Sequence, residues 1–476
     1  MLSFLHTLVE PMIQTALDFA QPNIPPITRV PVEILHKIFL SNIPLLPTDI
    51  NEWSYIRYPL RYALPDTLPV LLALCAVCST WRDVLRTMGR VWSHITIRKD
   101  FENMDYVKTF LKRSRNYPLN IEVISGTRAH RGASVQALAS VLRSHASRIQ
   151  VLLFETYYRS GCLMMHTEFF GGPGKLLMPL LGVLQVYEDG DGGFQAERAS
   201  PELVAPKLSR LIIWGWEDFH TVVFEQKFLD LKTLACLKQV TVPRSPFSTD
   251  DRLIESVTQA ERICVNSLCG PLPTFSSYNL VELTLSAYTL NDIDMDRIEA
   301  PFLRTLRIAP ICDMFDKIRC SWLRIRPEIT SLGIGRVQLD STSLAQLGRI
   351  FPNIQTLTLS ASGLWGLNEA TEVRNMFSCR QLNLFWMQFN RSMFELLLQK
   401  LASFKEVDTT IPNAIRILPN LRETENVNLL ADMYPGFLQV LTKHDVPEYS
   451  PVGSFTDREL LDSGGWEASW NLFGAL

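Results

Sequence analysis

The sequence predicts an α/β protein: a helical N-terminal unit followed by a curved solenoid with parallel β-strands on its concave face and helices on its convex face. Three observations predict it. Short apolar-x-apolar triplets recur through most of the chain, and from residue 283 onward they start 23, 26, 25, 25 and 25 residues apart. Many triplets carry another apolar residue three positions ahead, as in Leu208 before Leu211, Leu280 before Leu283 and Ile354 before Leu357. Ahead of the first triplet, two stretches have apolar residues at helical spacing.

Composition bounds the classes. The chain has 476 residues, which exceeds one ordinary domain unless it is a repeat array, and its 47% apolar and 20% charged content is that of a folded globular protein. A formal net charge of -3 and a pI near 6.3 argue against a nucleic-acid partner, which calls for a basic domain or stripe. Nine scattered cysteines, an odd number, suit a reducing compartment, so cytoplasm or nucleus is expected. The apolar stretch 1–20 has no Lys or Arg before Arg29 and is interrupted by Glu10, Pro11 and Asp18. It reads as neither a secretory signal nor a membrane span, and residues 1–27 are expected to form a helical arm.

The two helical stretches come next. In Val30-Pro31-Val32-Glu33-Ile34-Leu35-His36-Lys37-Ile38-Phe39, Pro31 fits the first helical position, where its missing N–H costs nothing, and Ile34, Leu35, Ile38 and Phe39 share a face. In the second, Leu71, Leu74, Cys78, Trp81, Leu85 and Met88 alternate spacings of three and four, which predicts one longer helix with a continuous apolar side. The order Pro-x-Glu-Ile-Leu, then Val77-Cys78-x-x-Trp81-Arg82, then Trp92-Ser93 leading into a strand resembles an F-box over residues 28–97. About thirty residues, including Pro44, Pro47, Pro59, Pro65 and Pro69, separate the helices (an insertion at about 42–69). Such insertions are familiar from the F-box-like proteins abundant in mushroom-forming (basidiomycete) fungi. A surface loop absorbs them cheaply, because closure entropy grows only logarithmically with length. The resemblance implies docking to a small adaptor and, through it, to a cullin-based ubiquitin ligase. Pro31, Ile34, Leu35, Ile38, Val77 and Trp81 are the positions that match the motif and would support docking.

Downstream, residues 98–444 carry the triplets, from Ile121-Glu122-Val123, Leu152-Leu153-Phe154, Leu184-Gln185-Val186 and Leu211-Ile212-Ile213 to Leu357-Thr358-Leu359 and Leu382-Asn383-Leu384, with Val407-Asp408-Thr409 a weak last member. The pattern L-x-x-L-x-L resembles the core of a leucine-rich repeat, although the Asn or Cys expected after the strand is mostly missing. One such unit cannot bury its apolar face alone, so neighbours must stack. Ser343 to Ile350 and Met393 to Ala402 have helical spacing and would return along the convex side. Loops are expected around 155–180 and 187–205, where Gly171-Gly172-Pro173-Gly174 and Asp189-Gly190-Asp191-Gly192-Gly193 stand. Residues 445–476, with Trp466, Trp470 and Phe473, read as a tail or cap over the open end of the array.

Catalytic motifs are missing. Gly171-Gly172-Pro173-Gly174-Lys175 lacks both the first glycine, where Phe169 stands, and the Ser or Thr, where Leu176 stands, of a phosphate loop. The Asp189 segment has Ser200 where a calcium loop needs its bidentate glutamate. Cys75 and Cys78 form a C-x-x-C without a second pair or a His cluster, and read as helix cysteines. Asn390-Arg391-Ser392 is a glycosylation sequon, which matters only on a secretory route. No enzyme, cofactor or metal is therefore expected.

What remains is binding. Outward-facing strand positions, among them Arg210, Ile212, Thr284, Arg307, Thr358 and Asn383, would line the concave face. Trp214, Trp216, Arg307, Phe385 and Trp386 are the candidates for gripping a target protein, because Trp and Arg dominate interface energies. The expected function is a substrate receptor of a ubiquitin ligase. The rival is an interaction scaffold whose F-box-like helices merely cap the solenoid, and the discriminator is whether Leu35, Ile38 and the Leu74-to-Trp81 face are buried against the first repeats.

Overall fold

The computed structural model describes residues 30–43, 67–98, 104–125, 132–156, 165–171, 174–188, 202–214, 229, 231–242, 259–268, 274–287, 295–310, 325–335, 338–339, 341–360, 363–364, 379, 381–385, 399, 414–418 and 438–440. Helices α1 (Val32–Asn42), α2 (Leu68–Val77) and α3 (Ser79–Thr87) come first, followed by a 3-10 turn (Gly89–Trp92), strand β1 (His94–Arg98) and helix α4 (Met104–Arg113). The single longer helix expected over residues 71–88 is two helices. Cys78 is extended (φ -159, ψ 172) and its Sγ accepts the Trp81 N–H at 3.4 Å, so it closes α2 and caps α3 without breaking the apolar periodicity.

The rest of the chain winds one long parallel sheet. Its principal strands are β2 (Leu119–Ser125), β3 (Ile149–Thr156), β5 (Val183–Glu188), β7 (Arg210–Trp214), β8 (Gln239–Val242), β9 (Arg262–Leu268), β11 (Glu282–Ala287), β13 (Thr305–Pro310), β14 (Ser331–Gly335), β16 (Thr356–Ser360), β18 (Gln381–Phe385), β19 (Ala414–Leu418) and β20 (Leu438–Val440). With β1 they make a 14-stranded sheet in which each strand lies beside the one before it, every pair parallel. Nowhere does the order reverse, as it does at the switch point of a doubly wound sheet. Every triplet from Ile121 to Leu384 lies on a strand. Val407-Asp408-Thr409 lies outside the described residues, and the turn after β18 instead contributes Ile415-Arg416-Ile417 on β19.

Alternation explains the packing. Leu283, Leu306, Leu332, Leu357 and Leu382 are aligned strand to strand, as are Leu285, Ile308, Ile334, Leu359 and Leu384, and all are essentially buried in one continuous core that begins at Leu35. Helices α5 (Gly132–Arg143), α6 (Met165–Phe170), α7 (Leu231–Ala235) and α8 (Ser341–Ile350) lie between strands, α8 covering the helix expected over 343–350. The second expected helix, Met393 to Ala402, lies outside the described residues apart from Gln399.

Two further features recur in several of the turns. Before the strand stands a β-turn with proline second: the N–H of Leu181, Leu208, Leu303 and Ile329 donates to the carbonyl of Met178, Ala205, Ala300 and Arg326 at 3.1, 2.9, 3.1 and 3.4 Å, across Pro179, Pro206, Pro301 and Pro327. Then a single carbonyl receives two N–H groups from the next turn, as Gly182 does from Ser209 and Arg210, and Arg304 from Thr330 and Ser331. Short side ladders pair β4 (Lys175–Leu177) with β6 (Glu202–Val204), β10 (Phe275–Ser276) with β12 (Ile298–Glu299), and β15 (Gln338–Leu339) with β17 (Gly363–Leu364). The stretches expected as loops at 155–180 and 187–205 thus contain α6 and the β4–β6 ladder, and Gly174 (φ +100) turns the chain into β4.

Candidate interaction surface

Begin with α1. Pro31 flanks it, with its carbonyl accepting the N–H groups of Ile34 and Leu35 at 3.0 Å each, so the ring sets the entry without sacrificing a helical bond. Leu35 and Phe39 point inward and are fully buried; Ile34 and Ile38 are half-buried, and Pro31 is exposed. Phe39 meets Trp81 of α3 edge to face, centroids 5.0 Å apart. Both α1 and α2 pack on α3, and Leu71, Leu74, Trp81 and Leu85 close the core between them.

The unit is fused to the sheet through Trp92. Its indole N–H donates to the Leu85 carbonyl at 2.7 Å, its ring meets Phe110 of α4 at 5.0 Å, and the Arg113 guanidinium lies 4.5 Å from its centroid. A Cβ on Gly89 would come within 2.7 Å of the Tyr117 ring and 3.0 Å of the Ser114 carbonyl, so only glycine lets the 3-10 turn approach the end of α4. His94 opens β1 and is buried beside Asn120 of β2, whose Nδ2 donates to His94 Nε2 at 3.1 Å. Burial, with Arg90's charge adding, pulls the imidazole pKa down to about 4, so the ring is neutral at pH 7. Leu35, Leu74 and Trp81 are therefore buried against the unit's own helices, and the unit shares its core with the sheet.

Outside that core, α2 is anomalous. Its sequence, LPVLLALCAV, holds no charged or hydrogen-bonding side chain apart from the Cys75 thiol, yet Leu68, Pro69, Leu72, Ala73, Ala76 and Val77 are all exposed, Leu72 by 61% and Val77 by 44%. Val32 and Leu40 of α1 are exposed too. A helix apolar on every side belongs in an interior, and here half of it faces outward.

The sheet presents the reverse. Strand register aligns Glu122, Leu153, Gln185, Ile212, Thr241 and Cys264 with Thr284, Arg307, Gly333, Thr358 and Asn383 on the face opposite the core, and the whole row is buried. Several of its polar members are paired. Arg307 bonds Glu282, which also faces Arg262 at 3.6 Å; Asn383 donates to Thr358 Oγ1 at 3.0 Å and accepts from Gln381 at 3.0 Å. Burial, reinforced by Glu282, pushes the Cys264 thiol far above its ordinary pKa, with Arg307 opposing, which leaves it protonated. Arg307, the one predicted target-gripping residue whose side chain is described, is thus engaged within the sheet. Trp214 and Phe385 end β7 and β18; Trp216 and Trp386 lie outside the described residues.

Among the described residues no three His, Cys, Asp or Glu side chains converge as a metal site, and no helix is long and apolar enough to cross a membrane. Cys75 and Cys78 are free and half-buried, one within α2 and one at its end. No family model matches the chain, and no curated protein matches it.

Proposed function

We propose that the chain is a non-enzymatic substrate receptor of a cullin-based ubiquitin ligase, in which the F-box-like helices dock the adaptor and a leucine-rich-repeat-like solenoid holds a target protein. The observation that carries the reading is the uncovered apolar face of α2, in a unit whose sequence matches the motif order. On this reading Pro31, Val32, Leu72 and Val77 meet the adaptor, while Leu35 and Trp81 act by holding the three helices in place. The receptor does no chemistry; it raises the concentration of target at the conjugating enzyme.

A second reading has its own support. The helical unit and the sheet share one core, as expected if the helices cap the solenoid of a scaffold that never enters a ligase. Co-purification of the full chain with a fungal adaptor and cullin separates the two. Wild type should bring both down and Leu72→Asp should not, with equal circular dichroism. Failure of the folded wild type to associate would contradict the receptor and favour the scaffold.

A further inference from the structure

Charge is spread unevenly along the chain, and cations gather at the end of α4. Between Met104 and Gln150 stand eight Lys and Arg against two carboxylates, Asp105 and the fully buried Glu122, in a chain whose net charge is -3. Lys108 and Lys112 are exposed four residues apart on α4, while Val107, Phe110 and Leu111 face the core. Just past the helix, Arg115 takes the left-handed conformation in which helices commonly end (φ 51) and is exposed. The next turn of the solenoid supplies Arg148, last residue of a 3-10 turn (Ala146–Arg148). Its Nη2 donates to Ser114 Oγ at 2.8 Å and to the Tyr117 carbonyl at 2.9 Å, which brings it to the segment that holds Arg115. Tyr117, 47% exposed, therefore stands among cations.

Among the described residues no carboxylate pairs with Lys108, Lys112, Arg115 or Arg148. A cation at a helix C-terminus offsets the helix dipole, but that dipole amounts to about half an elementary charge, which one side chain answers. We infer that the end of α4 docks an acidic segment of a partner protein, its carboxylates facing Lys112, Arg115 and Arg148 and an apolar side chain resting on Tyr117. Tyr and Arg are residue types on which interface energy concentrates, and unpaired cations steer an acidic partner to them. A nucleic acid fits less well, because its phosphates call for a basic stripe. On later turns Lys175 has Glu202 at 2.8 Å and Lys238 has Glu261 at 3.8 Å, so the stripe is broken. No residue of α2 takes part, and the surface would serve a receptor and a scaffold alike.

The test is fluorescence anisotropy of the full chain with two labelled probes: a peptide of glutamates flanking one phenylalanine, and a single-stranded DNA oligonucleotide of the same charge. The peptide should bind the wild type, and about tenfold or more weakly as salt rises from about 0.05 M to about 0.5 M. Lys112→Glu combined with Arg115→Asn, the asparagine chosen because it tolerates the left-handed backbone, should weaken peptide binding about tenfold or more at low salt, with circular dichroism unchanged. Lys207→Glu combined with Arg304→Asn, the same charge change at exposed positions before β7 and β13, should leave it unaltered. No peptide binding by the folded wild type, or an equal loss in both double variants, would overturn the inference. Tighter binding of the oligonucleotide, lost with Lys112 and Arg115, would overturn it in favour of a nucleic acid.

Discussion

The helical unit and the outer face of the sheet invert each other. In the first, a helix without a charged side chain leaves Leu72 and Val77 exposed; in the second, Arg307, Thr358 and Asn383 are buried, with Arg307 bonded to Glu282 and Asn383 to Thr358 and Gln381. Buried polar groups are costly unless paired, and Arg307 with Glu282 and Asn383 with Thr358 show such pairing within the chain. Exposed apolar surface cannot be satisfied in water at all. On the proposed reading the difference points to α2 as the face that meets the adaptor, rather than to the row of the sheet that composition alone singles out.

Several changes would break or sharpen that contrast. The largest effect is expected from Trp81→Ala, which empties the space against Phe39 and should cost about 3–5 kcal/mol in urea unfolding. Trp81→Phe should cost much less, since the indole N–H has no acceptor among the described residues. A pH dependence comes next. With its folded pKa near 4, below the ordinary 6.5, His94 favours the folded state fully above pH 6.5, and that contribution is lost as pH falls from 6.5 toward 4. The loss should reach about 3 kcal/mol and disappear in His94→Gln, as checked by denaturation at a series of pH values. Asn383→Ala strips Thr358 and Gln381 of their partner and should cost about 1 kcal/mol while leaving adaptor affinity unchanged in calorimetry. Smallest in stability is Leu72→Ser, within about 0.5 kcal/mol of wild type because the side chain is exposed, yet it should weaken adaptor binding about tenfold or more.

Much of the architecture was readable because a period of two in the strands and of about 25 along the chain are direct consequences of a core-facing pleat and a repeating turn. The proline turns were equally readable: Pro179, Pro206, Pro301, Pro327 and Pro352 each stand five residues before the first core residue of their strand, a signal overlooked beside the leucines. The break at Cys78 was hidden because the apolar spacing runs straight through it, although Ser79 and Thr80 offer N-terminal helix chemistry. Burial of the outer row was not readable at all. Alternation assigns Arg307 and Asn383 to one face but is silent on what that face meets. Leu35 and Trp81 illustrate the same limit within the motif, since a matching residue can serve the interior or the surface, and only packing decides. The apolar character of α2 was legible, for none of its ten residues carries a charge.

Hydrogen exchange of the full chain with and without the adaptor tests the central contrast most directly. The account predicts new protection across residues 68–87, where α2 and α3 lie, and unchanged exchange in β11 to β18. Protection that appears on the sheet while α2 exchanges as before would contradict it.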